Sequence, residues 1–173
     1  MIGKPPPGLV ERYSRQIKAR NGKSVMLRPI LPEDTKREFE MFSRFSETSS
    51  YYRFFGIKRV EKPKDVWEFT HIDYDKDMAI IALFEDKEIG VGRICGYGEK
   101  AEFAIIIEDD WQGEGVGSEV TKLIIQVAKD MGFKSLFGEI LTENKKGISF
   151  LESMGFRLER RCGEDCYRFG KKL

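Results

Sequence analysis

Two features of this chain could do chemistry together: a glycine-rich run, Gln112-Gly113-Glu114-Gly115-Val116-Gly117, and a carboxylate ten residues before it, Glu102. The run follows an apolar segment, Phe103-Ala104-Ile105-Ile106-Ile107, and precedes an amphipathic one that begins near Ser118. A strand, a glycine turn and a helix start make a cradle for a phosphate. Glycine lets the backbone aim its N–H groups at an anion, and the helix end adds about half a positive charge there. Glu102 heads the strand that leads into this cradle. By position alone such a carboxylate reads as a solvated glutamate at a strand end; its register with the cradle makes it a candidate base as well.

Spacing sorts the possible ligands. A nucleotide-hydrolase loop needs a glycine, four residues, then Gly-Lys-Ser/Thr. Gly22-Lys23-Ser24 has Ile17 where the first glycine belongs. A dinucleotide fingerprint must lie between a strand and a helix. Gly96-Tyr97-Gly98-Glu99-Lys100-Ala101 fits its letters, but a strand follows, which makes it a hairpin connection. The pattern that fits is Gln-x-x-Gly-x-Gly, at Gln112, Gly115 and Gly117, and here the chain resembles the GNAT superfamily of acyl-CoA N-acyltransferases. Within it, Glu102-Phe103-Ala104, Asp110-Trp111-Gln112-Gly113, the run from Gly138 to Asn144 and Gly155-Phe156 are most similar to the bacterial and archaeal protein-lysine acetyltransferases of the Pat and AcuA-like branch. Leu27-Arg28-Pro29-Ile30, Tyr52-Arg53-Phe54-Phe55 and His71-Ile72-Asp73-Tyr74 are similar to the same branch.

The resemblance implies a site. Acetyl-CoA is the co-substrate, no metal takes part, and the pyrophosphate lies on Gln112, Gly113, Glu114, Gly115, Val116, Gly117 and Ser118. Pantetheine pairs with the backbone of Ile105, Ile106 and Ile107, where a strand irregularity also offers an N–H to the thioester oxygen. Asn144 and Phe150 border the CoA channel; Asn144 equally reads as a helix N-cap and Phe150 as packing. The acceptor amine needs a base, because a lysine with a pKa of about 10.4 leaves only about one amine in a few thousand neutral at pH 7. Glu102 is that base by position, with Glu139 and Glu143 as rivals that could hold water or the amine instead. Tyr51 and Arg53 fall on the acceptor side, although aromatics at helical spacing also read as core. Many GNAT enzymes carry a tyrosine acid seven residues after the motif asparagine. That position is Leu151, so the thiolate leaves unaided or through water.

These residues need elements to hold them. Residues 1–11 read as a flexible proline-rich lead, and 12–173 as one domain. Asn21-Gly22 between two apolar alternations signals a two-residue hairpin turn. Pro32-Glu33-Asp34 opens a helix with Phe39, Phe42 and Phe45 on one face, and a shorter helix covers Ser46 to Phe55. After a polar break from Lys58 to Lys64 and a helical turn near Trp67, strands are expected at 78–84, 89–95 and 103–107. Val116, Val120, Leu123, Ile124, Val127 and Met131 mark one helical face, capped by Gly132. A strand over 135–141, a helix through Ile148, Leu151 and Met154, and a hairpin of 156–161 with 166–170 complete the chain. The fold class is therefore α+β or α/β. The resemblance sharpens it to a mixed, mostly antiparallel sheet with helices on both faces, whose strands ending near Ile107 and starting near Ser135 splay apart for CoA.

Composition bounds the partners. Thirty basic and 29 acidic side chains leave no field for nucleic acid. Met1 to Pro7 lacks the apolar core of a signal peptide, and no run reaches the roughly 20 apolar residues of a membrane span, which gives a cytoplasmic expectation. The single histidine, His71, argues against histidine-based nucleophilic catalysis. Three cysteines read as reduced thiols, with a disulfide between Cys162 and Cys166 left open. The resemblance implies a protein acceptor, such as an acyl-CoA synthetase or a small basic protein, and a monomer or dimer. A small amine acceptor (polyamine or amino acid) and a non-catalytic acyl-CoA-binding regulatory module are the alternatives.

Overall fold

A computed structural model of the chain describes residues 2–56 and 60–173. Part of the expected polar break lies outside them. Among the described residues the helices are α1 (Leu9–Tyr13), α2 (Thr35–Phe42), α3 (Glu47–Phe54), α4 (Trp67–Thr70), α5 (Val116–Asp130) and α6 (Lys145–Ser153). The strands are β1 (Arg15–Lys18), β2 (Ser24–Pro29), β3 (Asp77–Phe84), β4 (Lys87–Tyr97), β5 (Lys100–Ile107), β6 (Ser135–Leu141), β7 (Arg157–Gly163) and β8 (Cys166–Lys172). They form one sheet in the order β1-β2-β3-β4-β5-β6-β8-β7. Every neighbouring pair is antiparallel except β5 and β6.

The exception follows from the crossover. α5 carries the chain from the end of β5 back to the start of β6, so the two run the same way. Val116, Val120, Leu123, Ile124 and Val127 of α5 are fully buried, as their helical spacing predicts. The helix lies close to the sheet because β4 presents Gly92 beneath it; a Cβ there would meet Val120 at 2.6 Å. Gly132, at φ +87°, ends the helix in the left-handed conformation expected of a glycine cap. α2 and α4 cover the opposite face, where Arg93 of β4 reaches Glu38 of α2 and the Phe69 carbonyl of α4.

β5 and β6 pair only briefly. Lys100, Ala101 and Glu102 face Ser135, Leu136 and Phe137, and there the ladder ends. Gly138 occupies the point of divergence, where any Cβ would lie 3.0 Å from the Phe103 carbonyl. Below the wedge Phe103 stacks on Phe156, ring centroids 5.4 Å apart. The edge of β5 from Phe103 onward is thus open, with backbone groups that no strand satisfies on that side.

Three expectations are corrected. Residues 2–8 do not hang free: the Gly3 N–H donates to the Ile72 carbonyl, Ile2 bridges Asp73, and Leu9 and Tyr13 of α1 are buried. The first hairpin has a five-residue connection, because Ile17 pairs with Val25. A two-residue turn on Asn21-Gly22 would slip the register by one and set Ile17 beside exposed Met26 instead of buried Val25. Cys162 and Cys166 are joined by a disulfide across the β7–β8 turn, Cα atoms 5.1 Å apart, leaving Cys95 as the free thiol.

Candidate active site

The splay opens into a cavity of about 1150 Å³. Its walls come from α3, β5, the loop from Asp109 to Gly115, the start of α5, the end of β6 and α6. It takes in Glu102, Arg53, Ile105, Ile106, Ile107, Gln112, Gly113, Gly115, Gly117, Ser118, Glu139, Asn144 and Phe150, so most sequence-expected site residues meet here. Tyr51, Glu114 and Val116 do not line it. Tyr51 is exposed, its ring centroid 6.0 Å from that of Tyr52, which does line the cavity. Val116 is fully buried in the first turn of α5, and the Glu114 carboxylate accepts the Asn21 N–H at 2.8 Å. A smaller cavity of about 410 Å³ shares only Trp111 with the large one.

The cradle is built by two glycines with positive φ. Gly113 at +79° and Gly115 at +86° turn the chain into α5, whose first turn has no side-chain cap. Uncapped N–H groups at a helix start can receive an anion, as the sequence reading expected of this turn. Gln112 does not point into it: its Nε2 donates to the Ile107 carbonyl at 3.1 Å and to Asp109 Oδ1 at 3.2 Å, which pins the loop to the end of β5. Burial alone would raise Asp109, but the Ser49 hydroxyl and the Ser46 backbone N–H donate to it and hold its pKa below the usual value. α3 is tied to the loop through that carboxylate.

A residue the sequence did not single out completes the loop. Arg20, in the β1–β2 connection, donates Nη1 to the Gly113 carbonyl at 2.9 Å and its backbone N–H to the Glu114 carbonyl at 3.0 Å. It lines the cavity and sits beside Gly115. The Asn21-Gly22 turn signal lay next to it, but nothing local ties position 20 to position 113.

Glu102 is part-buried at the last register pair before the splay, between Cys95 of β4 and Phe137 of β6. Its charge raises the pKa of the Tyr97 phenol. Glu139, the rival, is neutralised: Arg168 donates Nη2 and Nε to its Oε1 at 2.7 and 3.1 Å. Glu143 lines the cavity from an exposed position. Asn144 is the N-cap of α6, its Oδ1 accepting the Gly147 N–H at 2.9 Å. The Phe150 ring lies 3.7 Å from where a Gly117 Cβ would be, across the cradle. The irregularity expected within Ile105 to Ile107 is not there. β5 pairs with β4 through Ile107 without a shift, and the register shifts of the sheet fall between β3 and β4 at Ala82/Leu83 and within the β7–β8 pair. What exposes the backbone of these isoleucines is the loss of β6 on the other side.

A sheet split between two parallel strands, with a glycine cradle on the helix that joins them and a carboxylate at the split, defines a CoA-dependent acyltransferase class. The acetyltransferase (GNAT) domain family matches residues 24–157, and the chain belongs to that family. It is 29% identical over 142 residues to an acetyltransferase of Pseudomonas aeruginosa, covering 79% of this chain and 76% of that one. It is 27% identical over 145 residues to the acetyltransferase Pat of Mycolicibacterium smegmatis, covering 80% of this chain but 43% of the relative, so it spans less than half of that protein. The crystal structure of the GNAT domain of S. lividans PAT superposes with a TM-score of 0.89 at 27% identity, covering 98% of this chain and all of that one. The protein is an N-acetyltransferase of the Pat-like branch, and its family's chemistry makes acetyl-CoA the co-substrate.

Proposed function

We propose that this protein transfers the acetyl group of acetyl-CoA to the ε-amine of protein lysines by direct attack, with Glu102 as general base. The observation that carries the reading is the place of Glu102. It is the last residue held by both neighbours before β5 and β6 part, in the same cavity as the phosphate cradle. In the proposed cycle the pyrophosphate rests on the N–H groups of Gly113 to Ser118, and pantetheine follows the open edge of β5. Glu102 takes a proton from the lysine ammonium, and the neutral nitrogen attacks the thioester carbon. A backbone N–H within Ile105 to Ile107 holds the oxygen as it becomes negative. Collapse expels the CoA thiolate, and the second proton leaves the attacking nitrogen and reaches the thiolate through water, since Leu151 cannot supply one. The catalytic domain takes in α1 together with residues 12–173, acts as a monomer or dimer in the cytoplasm, and accepts an acyl-CoA synthetase or a small basic protein.

A small amine is the second reading. A polyamine site would gather unpaired carboxylates, whereas here Glu139 is tied to Arg168 and Arg53 adds a cation. An amino acid, which carries its own carboxylate, fits better than a polyamine. The experiment is incubation of the protein and of Glu102→Gln with acetyl-CoA and a soluble lysate of the host, followed by peptide mass spectrometry. Lysines acetylated by the wild type alone support the reading; a lysate left unmodified by a protein that still binds acetyl-CoA refutes it.

A further inference from the structure

Several guanidiniums of the fold are neutralised within the chain, and Arg20, which lines the cavity, spends its Nη1 on the Gly113 carbonyl. Arg93 is paired with Glu38, Arg168 with Glu139, Arg44 with Glu108 and Arg28 with Asp34. Arg53 is different. It sits in the last turn of α3 and lines the cavity, and among the described residues its guanidinium makes no hydrogen bond and no ion pair; its contact is with the Phe54 ring, 5.0 Å to the centroid. The charged and titratable groups around it are Arg93, Glu102, Cys95 and Glu38. Burial, then the like charge of Arg93, pulls its pKa down to about 10, so it remains a cation at neutrality in a place that disfavours one. An inward-facing charge without a partner is a cost that folding alone does not justify.

Its position along α3 says which substrate it meets. Ser49 touches Asp109 beside the phosphate loop, and Arg53 lies one turn further, about 6 Å along the helix axis, toward Glu102. An anion held there lies beside the amine's base and away from the phosphate cradle. A guanidinium presents a planar fork that matches a carboxylate with two parallel N–H donors. We propose that Arg53 recognises a carboxylate on the acceptor, an Asp or Glu side chain adjoining the target lysine. The inference rests on the reading that Glu102 receives the acceptor amine. It makes Arg53 the residue that sets acceptor preference, and the lysine site an acidic one.

The test uses blocked lysine peptides that differ only in whether Glu, Gln or Lys adjoins the acceptor lysine, assayed with acetyl-CoA and the wild type, Arg53→Met, Arg53→Lys and Arg53→Glu. The wild type is expected to favour the Glu peptide over the Gln peptide by about ten- to hundredfold in kcat/KM, expressed in KM. Arg53→Met should bring the Glu peptide down to the level of the Gln peptide, Arg53→Lys should keep part of the preference, and Arg53→Glu should turn it toward the Lys peptide. An equal loss on all peptides with a displaced pH–rate profile would mean that Arg53 serves only the ionisation of Glu102, and overturns the proposal. So does a preference for succinyl-CoA over acetyl-CoA that Arg53→Met abolishes while peptide charge is immaterial, since the carboxylate then belongs to the acyl chain. If the wild type acetylates none of the peptides, the protein-lysine reading is what has failed. The same comparison between a free amino acid and its amide then decides on Arg53: preference for the free acid, lost in Arg53→Met, supports it, and indifference overturns it.

Discussion

Replacing Glu38 by glutamine should unfold this protein more readily than almost any other single carboxylate change, while the same change at Glu88 should strengthen it. Glu38 is fully buried on α2 and bonded to Arg93, whose other amino group holds the Phe69 carbonyl of α4. Removing the charge of Glu38 leaves a buried guanidinium without its counter-ion, and breaking such pairs costs about 3–5 kcal/mol. A domain of this size loses about 2–4 °C of melting temperature per kcal/mol, so the midpoint should fall by about 6–20 °C. Glu88, on β4, is equally buried, and neither of its oxygens nor Glu38 Oε2 meets an N–H or O–H donor. Burial, then the negative charge of Glu38, raises Glu88 well above the carboxylate range, and a proton held between the two carboxyls satisfies both. The sign follows from linkage. Above the unfolded carboxylate's pKa, near 4.3, the unfolded chain gives up this proton and the folded chain keeps it, so stability falls as pH rises toward the folded pKa. Glu88→Gln keeps a neutral donor and removes that slope. Urea unfolding at pH 5 and pH 8 decides: Glu38→Gln should be weaker at both, and Glu88→Gln should match wild type at pH 5 and exceed it at pH 8. A Glu88→Gln variant less stable than Glu38→Gln, or a Glu38→Gln loss below about 1 kcal/mol, would refute the reasoning.

Arg20→Met removes one hydrogen bond from the glycine loop, and a loss of about 1 kcal/mol should raise the acetyl-CoA Kd by about fivefold in calorimetry, with little change in the melting temperature. Without reductant, denatured protein should show one reactive thiol, Cys95, and three after reduction. Changing Cys162 and Cys166 together to serine reopens a five-residue loop, for which chain entropy gives a loss of about 2 kcal/mol, measurable by urea unfolding.

What could be read from the residues alone was what repeats locally. The apolar face of α5, its glycine cap, and the strand-turn-helix around Gln112 each carry their signal within a few residues, and all three stand where spacing put them. The place of Glu102 was legible because it lies on the strand that leads into the cradle, ten residues before Gln112. Arg20 was not, because its partner is 93 positions away and a turn residue gives no hint of what the turn leans on. Tyr51 was drawn to the acceptor side by its aromatic neighbours, yet on a two-turn helix periodicity cannot say which face meets the cavity and which meets solvent. The bulge was misplaced for a similar reason: the chemistry needs free backbone near Ile105, and the fold supplies it by parting β5 from β6 rather than by kinking β5. The neutralisation of Glu139 by Arg168 depends on β8 lying between β6 and β7, an order that hairpin signals do not encode.

The central claim is that Glu102 removes the proton from the acceptor amine and takes no part in holding the donor. The direct measurement is the pair of acetyl-CoA Kd by calorimetry and kcat on an acetylated lysine site identified from the lysate, for wild type and Glu102→Gln. The account predicts an unchanged Kd with kcat lowered by about 10²–10⁴. A Glu102→Gln enzyme that binds acetyl-CoA normally and turns over at the wild-type rate would contradict it.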